Sequence, residues 1–138
     1  MKIAVLGYGT VGSGVVEVLD VNQKLIASRA KEEIEVKYVL DLRNFPGDKI
    51  QEKIVHDYEI ILNDPEIGIV VEVMGGVEPA NTFVRKALEA GKSVVTSNKA
   101  LVAKHGSALL KTAREKNVNF LFEASVGGGI PILRALGS

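Results

Sequence analysis

A glycine pattern close to the start of the chain constrains the fold more than any other feature. Residues 7–12 read Gly-Tyr-Gly-Thr-Val-Gly, which is a G-x-G-x-x-G pattern. The apolar run Lys2–Leu6 before it is typical of a buried strand, and the segment from Ser13 to about Ser28 has the apolar spacing of a helix. A G-x-G-x-x-G turn between a strand and a helix indicates dinucleotide binding.

Each glycine of the pattern has a physical reason. Gly7 permits the tight turn, Gly9 lets the backbone approach a pyrophosphate, and Gly12 lets the helix pack closely on the strand. The free N–H groups and the positive dipole end of the helix then receive the phosphates. An unliganded glycine-rich turn and another nucleotide-like ligand are the alternatives. We predict that the whole turn binds the cofactor: Gly7, Tyr8, Gly9, Thr10, Val11 and Gly12.

The rest of the chain alternates short apolar runs with helical segments. Strands are predicted at residues 34–40, 69–73, 93–96 and 118–122, and helices at residues 79–90, at residues 100–116 and from Ile130 onward. Residues 49–58 are polar and receive no assignment. The alternation predicts a Rossmann-type, doubly wound, mostly parallel sheet in a three-layer α/β/α fold. Right-handed crossovers then bring the carboxyl ends of the strands to one edge, where ligands of such sheets bind.

Two further glycine clusters follow predicted strands. Together with a first cluster of Gly7, Gly9, Gly12 and Gly14, Gly75–Gly76 and Gly127–Gly129 account for nine of the fourteen glycines, so we expect all three clusters at the same edge. Small residues there would let the ribose and pyrophosphate of a cofactor lie against the backbone, although Gly75 and Gly76 also suit a tight turn. We predict cofactor contacts from Met74, Gly75, Gly76 and Gly127.

An acidic residue at the end of the second strand is expected to bind the adenosine ribose. Asp41 lies 29 residues after Gly12, which implies a longer first helix and connection than usual. Its carboxylate suits NAD because it would repel a 2′-phosphate, whereas Arg43 could pair with the 2′-phosphate of NADP or be a solvated cation. The choice between NAD and NADP therefore stays open.

A polar stretch at residues 96–99 follows the next strand. Thr96, Ser97 and Lys99 could reach a nicotinamide, a ribose or a substrate, and Lys99 is the candidate catalytic residue because a lysine can orient a carboxylate or assist proton transfer. A solvated lysine is the alternative. Glu72 lies inside an apolar strand, and we expect a structural role for it at a strand end. His56 and His105 lack a partner pattern and are predicted to be surface residues.

Composition excludes several function classes. The 17 Lys and Arg residues balance the 17 Asp and Glu residues, which gives no general electrostatic case for binding nucleic acid or an anionic membrane. The absence of cysteine excludes disulfides and thiolate chemistry. The first residues do not form a signal peptide, and no apolar run reaches the ~18 residues that span a bilayer. We expect a cytoplasmic protein.

Four ordered stretches resemble the N-terminal part of homoserine dehydrogenase. They read VLGYGTVGSGVV, DPEIGIVVEVMGG, VVTSNKALVAKHG and FEASVGGGIPI, and the resemblance covers essentially the whole chain. Members of that family reduce aspartate semialdehyde to homoserine with NADH or NADPH, on the route to threonine and methionine.

The resemblance assigns roles to individual positions. It implies that Met74, Gly75, Ser97 and Lys99 line the nicotinamide side, and that Lys99 takes part in substrate handling or proton transfer. The glycine loop after the last strand, next to Glu123, could also offer oxygens to a hard cation. The resemblance implies a sodium site there, with ligands from Glu123, Val126, Gly128 and Ile130.

The resemblance also implies how the chain is organised. We expect residues 1–130 to form the NAD(P)-binding domain and residues 131–138 to begin a helix that leads to a substrate and dimerisation domain, absent here, in a homodimeric enzyme. On that reading the chain alone is poorly active or inactive. The alternatives are an NAD(P)-sensing module without catalysis and another two-domain amino-acid dehydrogenase.

Overall fold

Six parallel strands form a single sheet in the computed structural model, which describes residues 2–21 and 35–123. Side chains of residues 10–11 and 18–21 lie outside the description. In chain order the strands are β1 (Lys2–Leu6), β2 (Glu35–Leu40), β3 (Ile54–Val55), β4 (Ile67–Glu72), β5 (Ser93–Thr96) and β6 (Phe120–Phe122). The helices are α1 (Thr10–Val21), α2 (Tyr58–Leu62), α3 (Ala80–Glu89) and α4 (Lys99–Glu115), with a 3-10 turn at Lys49–Lys53.

The sheet order is β3-β2-β1-β4-β5-β6, and every neighbouring pair is parallel. The chain runs outward from β1 to β3, then returns to the other side of β1 and runs outward again, so the order reverses between β1 and β4. This confirms the doubly wound fold. The strand ends are level, because Leu6 pairs with Leu40 and Glu72, and Glu72 pairs with Thr96.

Both faces of the sheet are buried at its centre. In β1, Ala4 and Leu6 belong to the core cluster beneath α3 and α4, whereas Ile3 and Val5 belong to the cluster beneath α1. All four side chains are fully buried. Strands covered on both faces have apolar residues at successive positions, which explains why these runs are continuous in the sequence.

The predicted elements shift by a few residues at their ends. The first helix begins at Thr10 and not at the predicted Ser13, because the Ser13 N–H donates to the Gly9 carbonyl at 2.9 Å and so closes a helical turn inside the glycine pattern. Its predicted end near Ser28 lies outside the described residues. The strand predicted at 69–73 begins earlier, at Ile67, and the helix predicted at 100–116 begins at Lys99.

Sequence reasoning missed three short elements, namely the 3-10 turn, β3 and α2. None is long enough to show a periodic apolar pattern. Both helical pieces nevertheless have a capping aspartate: the Asp48 carboxylate accepts from Ile50 N at 3.0 Å, and the Asp57 carboxylate accepts from Glu59 N at 3.0 Å. Aspartate directly before the segment is therefore a usable signal for both pieces.

A buried lysine stabilises the amino-terminal edge of the sheet. Lys92, directly before β5, is 5% exposed, and its Nζ donates to the carbonyls of Asp64 at 2.8 Å and Ile67 at 2.9 Å. Burial lowers the pKa of Lys92, and the charge of Asp64 partly opposes that shift. The lysine thus satisfies two carbonyls at the start of β4, on the edge opposite the glycine turn.

We predict that Lys92→Met lowers the free energy of unfolding by about 1–3 kcal/mol, because it removes one hydrogen bond from each of two carbonyls; that of Asp64 still accepts from Ile67 N. Chemical denaturation of the two proteins measures the difference. Lys111→Met, at an exposed position of α4, is the matched control and should change the stability by less than about 0.5 kcal/mol. Equal losses for both variants would contradict the role of Lys92.

Candidate dinucleotide site

The glycine turn is held between two strand ends. Gly7 adopts a left-handed conformation with φ of +100°, and its N–H donates to the Leu40 carbonyl at 2.8 Å. A β-carbon at Gly7 would lie 3.2 Å from Cγ of Met74, in the loop after β4. The turn is therefore fixed at the point where the strand order reverses, which is the ligand position of open α/β sheets.

Gly9 and Gly12 play different parts. A β-carbon at Gly12 would lie 2.1 Å from the Gly7 carbonyl oxygen, so any side chain there would force the helix away from the turn. A β-carbon at Gly9 would have no atom within 4 Å, so the backbone faces open space. The first N–H groups of α1 have no acceptor within the helix and carry its positive dipole end.

Asp41 links the end of β2 to the glycine turn. Its Oδ2 accepts from Tyr8 N at 3.0 Å and from Arg43 Nη2 at 3.0 Å, and its Oδ1 accepts from Arg43 N at 2.9 Å and Nε at 3.0 Å. The Asp41 side chain is 9% exposed and that of Arg43 is 61% exposed. The Arg43 side chain above all, with help from the N–H groups of Arg43 and Tyr8, outweighs desolvation and lowers the pKa of Asp41 to about 2.

Aromatic and polar side chains surround this ion pair. The ring of Tyr8 meets that of Phe45 edge-to-face at 5.0 Å, and the Arg43 guanidinium lies 5.1 Å from the Phe45 ring centroid. His56 is exposed, as predicted, and its ring nitrogens lie 2.7 Å from the Asp41 carbonyl oxygen and 2.9 Å from Oδ1 of Asn44. His105, on α4, is half-buried.

The loops after β4, β5 and β6 extend the hydrogen bonding of the sheet. Val73 N donates to the Leu6 carbonyl at 3.1 Å, Ser97 N to the Glu72 carbonyl at 3.2 Å, and Glu123 N to the Thr96 carbonyl at 2.9 Å. Gly75 and Gly76 are exposed and left-handed, with φ of +77° and +74°. Predicted cofactor residues of separate loops thereby come together at one edge: Met74, Gly75, Gly76, Ser97 and Lys99.

Thr96 and Lys99 differ in their exposure at that edge. Thr96 is fully buried and its hydroxyl donates to Glu72, so the structure places it behind the predicted contact surface. Lys99 is exposed at the first turn of α4, and within the described residues its amine has no ion-pair partner. Asn98 caps this helix by accepting from Leu101 N at 3.0 Å. Asn98 was not among the predicted site residues. An asparagine directly before a helical segment is a capping signal, and that signal could have identified it.

The predicted sodium site falls mostly outside the described residues. Glu123 is half-buried just after β6, whereas Val126, Gly128 and Ile130 lie outside the described residues, and so does Gly127, a predicted cofactor contact. In the described ranges, no three histidine, aspartate or glutamate residues are grouped to hold a metal ion. No helix there is long and apolar enough to cross a membrane.

These features define a class of protein. A parallel sheet that reverses its order beside a glycine turn, with a carboxylate ending the next strand, is a Rossmann-type dinucleotide-binding domain. The family model described as the NAD-binding domain of homoserine dehydrogenase matches residues 7–123, so the chain belongs to that family and has a domain for a nicotinamide cofactor.

Individual relatives agree with the family. Homoserine dehydrogenase of Lactococcus lactis is 43% identical over 99% of this chain and 33% of its own length, and that of Pseudomonas aeruginosa is 44% identical over 99% and 32%. The crystal structure of a homoserine dehydrogenase from Thiobacillus denitrificans has a TM-score of 0.82 and 42% identity, covering 99% of this chain and 32% of that one. The chain spans about a third of the length of the curated relatives it matches.

We predict that the Asp41 carboxyl titrates near pH 2 in the folded chain, as measured by NMR of its carboxyl carbon. Its folded pKa lies below the ordinary 3.8, so the stabilisation is complete above that pH and is lost as the pH falls toward 2. Because solvent screens the exposed Arg43, we expect the ionised Asp41 to contribute about 1 kcal/mol to the free energy of unfolding. Arg43→Gln should move the midpoint back toward 3.8, and an unchanged midpoint would contradict this account.

Proposed function

We propose that this chain is the cofactor-binding part of an enzyme that interconverts homoserine and aspartate 4-semialdehyde with NAD(P), in threonine and methionine synthesis. One observation carries the proposal: relatives named homoserine dehydrogenase match 99% of the chain at 43% and 44% identity, and the match includes the glycine turn.

The glycine turn would hold the pyrophosphate. The open space beside Gly9 admits phosphate oxygens to the backbone, and the first N–H groups of α1 offer donors with no acceptor in the helix. Gly12 keeps these donors close to the end of β1, because only a residue without a β-carbon lets the helix contact Gly7 at this position. The turn therefore binds through the backbone, and its site depends on the absence of side chains.

Asp41 and Arg43 would receive the adenosine ribose. A carboxylate has about four acceptor positions, and within the described residues four donors bond Asp41, namely Tyr8 N and three nitrogens of Arg43. Ribose hydroxyls can reach this carboxylate only when the Arg43 side chain moves away. The exposed guanidinium can then pair with a 2′-phosphate, so the residues suit NAD through Asp41 and NADP through Arg43.

The loops after β4 and β5 would flank the nicotinamide. The bound nicotinamide supplies hydride exchange with the carbon of an aldehyde or alcohol. Lys99 would stand beside that carbon on the substrate side, where its ammonium can hold a carboxylate or give a proton to the alkoxide that hydride addition leaves. Its place at the start of α4 and its exposure support this role.

Three further parts of the proposal come from the sequence and its resemblance to the family. They are the sodium ion at Glu123, Val126, Gly128 and Ile130, the homodimer of the whole enzyme, and its cytoplasmic location. The small-molecule substrate follows from the names of the relatives, which are homoserine dehydrogenases. These parts stay predictions.

We predict that the 138-residue chain binds NADH or NADPH in a calorimetric titration. Gly9→Ala should weaken that binding about tenfold or more, because a methyl group would fill the space through which the pyrophosphate reaches the backbone. The unfolding temperature of Gly9→Ala serves as the control for folding, since the β-carbon meets nothing within 4 Å. Failure of NAD, NADH, NADP and NADPH to bind at millimolar concentration would contradict the proposal.

We predict that the polypeptide encoded by the complete reading frame reduces NAD or NADP in the presence of homoserine. Lys99→Ala should lower kcat/KM by about a hundredfold, in the usual range for a group that assists proton transfer. Lys111→Ala, on the same helix, is the matched control and should keep normal activity. Cofactor binding without turnover of homoserine would favour the sensing module, and full activity in Lys99→Ala would remove Lys99 from the mechanism.

A further inference from the structure

A buried carboxylate ends the central strand β4. Glu72 is 0% exposed, and its side chain lies on the sheet face covered by α3 and α4, level with Leu6 and Thr96. Its hydrogen-bond donors are neutral: Met74 N at 3.1 Å and Asn98 Nδ2 at 3.2 Å bond Oε1, and the Thr96 hydroxyl at 2.8 Å bonds Oε2. In the described residues Glu72 forms no salt bridge.

These three donors come from the end of β5 and from the loops that follow β4 and β5. Asn98 Nδ2 also donates to the Gly76 carbonyl at 2.5 Å, which joins the loop after β4 to the loop after β5. The Asn98 N–H donates to the Thr96 hydroxyl at 3.0 Å, and Oδ1 of Asn98 accepts from Leu101 N at the start of α4. One carboxylate thus fixes both Met74 and the helix end that carries Lys99.

The sheet itself does not require a carboxylate at this position. The residues at the same level in β1 and β2 are Leu6 and Leu40, which are buried and apolar. A buried carboxyl group is costly to desolvate, and hydrophobic packing generally serves stability as well or better. The hydrogen bonds of Glu72 lead instead to the loops that, on the proposed function, lie beside the nicotinamide.

We propose that Glu72 is a positioning residue for the nicotinamide half of the cofactor. It sets the spacing between the Met74–Gly76 loop and the Lys99 end of α4, and it acts through Asn98 and Thr96 without touching the cofactor. The adenosine half is held by the glycine turn and Asp41, whose hydrogen bonds do not include Glu72. Loss of Glu72 should therefore weaken one half of the cofactor site and spare the other.

The inference rests on the proposed function, and a pair of ligands separates the two. NADH contains both halves of the cofactor, whereas ADP-ribose lacks the nicotinamide. Glu72→Gln keeps the size of the side chain but turns one acceptor oxygen into a donor. We expect this variant to bind NADH about tenfold more weakly and ADP-ribose within about twofold of the unmodified chain, both by calorimetry.

A second variant and a control distinguish a selective loss of NADH binding from a general loss of stability. Asn98→Ser keeps a side chain that can cap α4 but removes the amide that bonds Glu72 and Gly76, so it should show the same selective loss for NADH. Lys92→Met removes another buried ionisable side chain, at the opposite edge of the sheet. It should lower stability and leave the ratio of the two affinities unchanged.

The outcomes are distinct. If the unmodified chain binds neither ligand, the proposed function and this inference both fall. If it binds both ligands and Glu72→Gln and Asn98→Ser weaken them equally, Glu72 has a merely structural role and the inference alone is overturned. Unchanged binding of both ligands by these two variants would overturn it as well. A loss confined to NADH supports it.

Discussion

The close approach of Gly12 to the carbonyl oxygen of Gly7 is the contact on which the ligand edge depends. A β-carbon would stand 2.1 Å from that oxygen, so the helix and the turn can meet only through glycine. This contact places the first N–H groups of α1 at the end of β1, where the sheet order reverses. It also fixes the turn so that Tyr8 N reaches Asp41 at 3.0 Å, which ties the end of β2 to the same point.

Two carboxylates organise this edge by different physical means. Asp41 lies near the surface and is paired with a charged, exposed partner, so its interactions can be exchanged for those of a ligand. Glu72 is fully buried and bonded to neutral donors that belong to the backbone or to short side chains. Its interactions cannot be exchanged without exposing a strand end. The edge therefore combines an exchangeable carboxylate beside the glycine turn with a fixed one at the end of β4, which on the proposed function are the adenosine and nicotinamide sides.

The sequence predicted the strands that are covered on both faces of the sheet, because such strands have continuous apolar runs. The runs that became β1, β2, β4 and β5 were recognisable, and so was the position of Asp41 at a strand end. The start of α1 could not be placed, because Gly9 closes the first turn through its carbonyl and carries no side-chain signal. The partners of Glu72 were not predictable either, since Thr96 and Asn98 lie 24 and 26 residues further along the chain and meet it only when β4 and β5 pair.

The hydrogen bonding of the sheet continues into the loops after the strands, and this has a consequence for binding. The loops after β4, β5 and β6 each donate an N–H to the last carbonyl of the neighbouring strand. Their backbone is ordered at these points when the sheet forms, so the entropy of ordering it is lost on folding and not on association. A ligand at this edge meets a preorganised surface, and the free energy of its contacts is available for affinity.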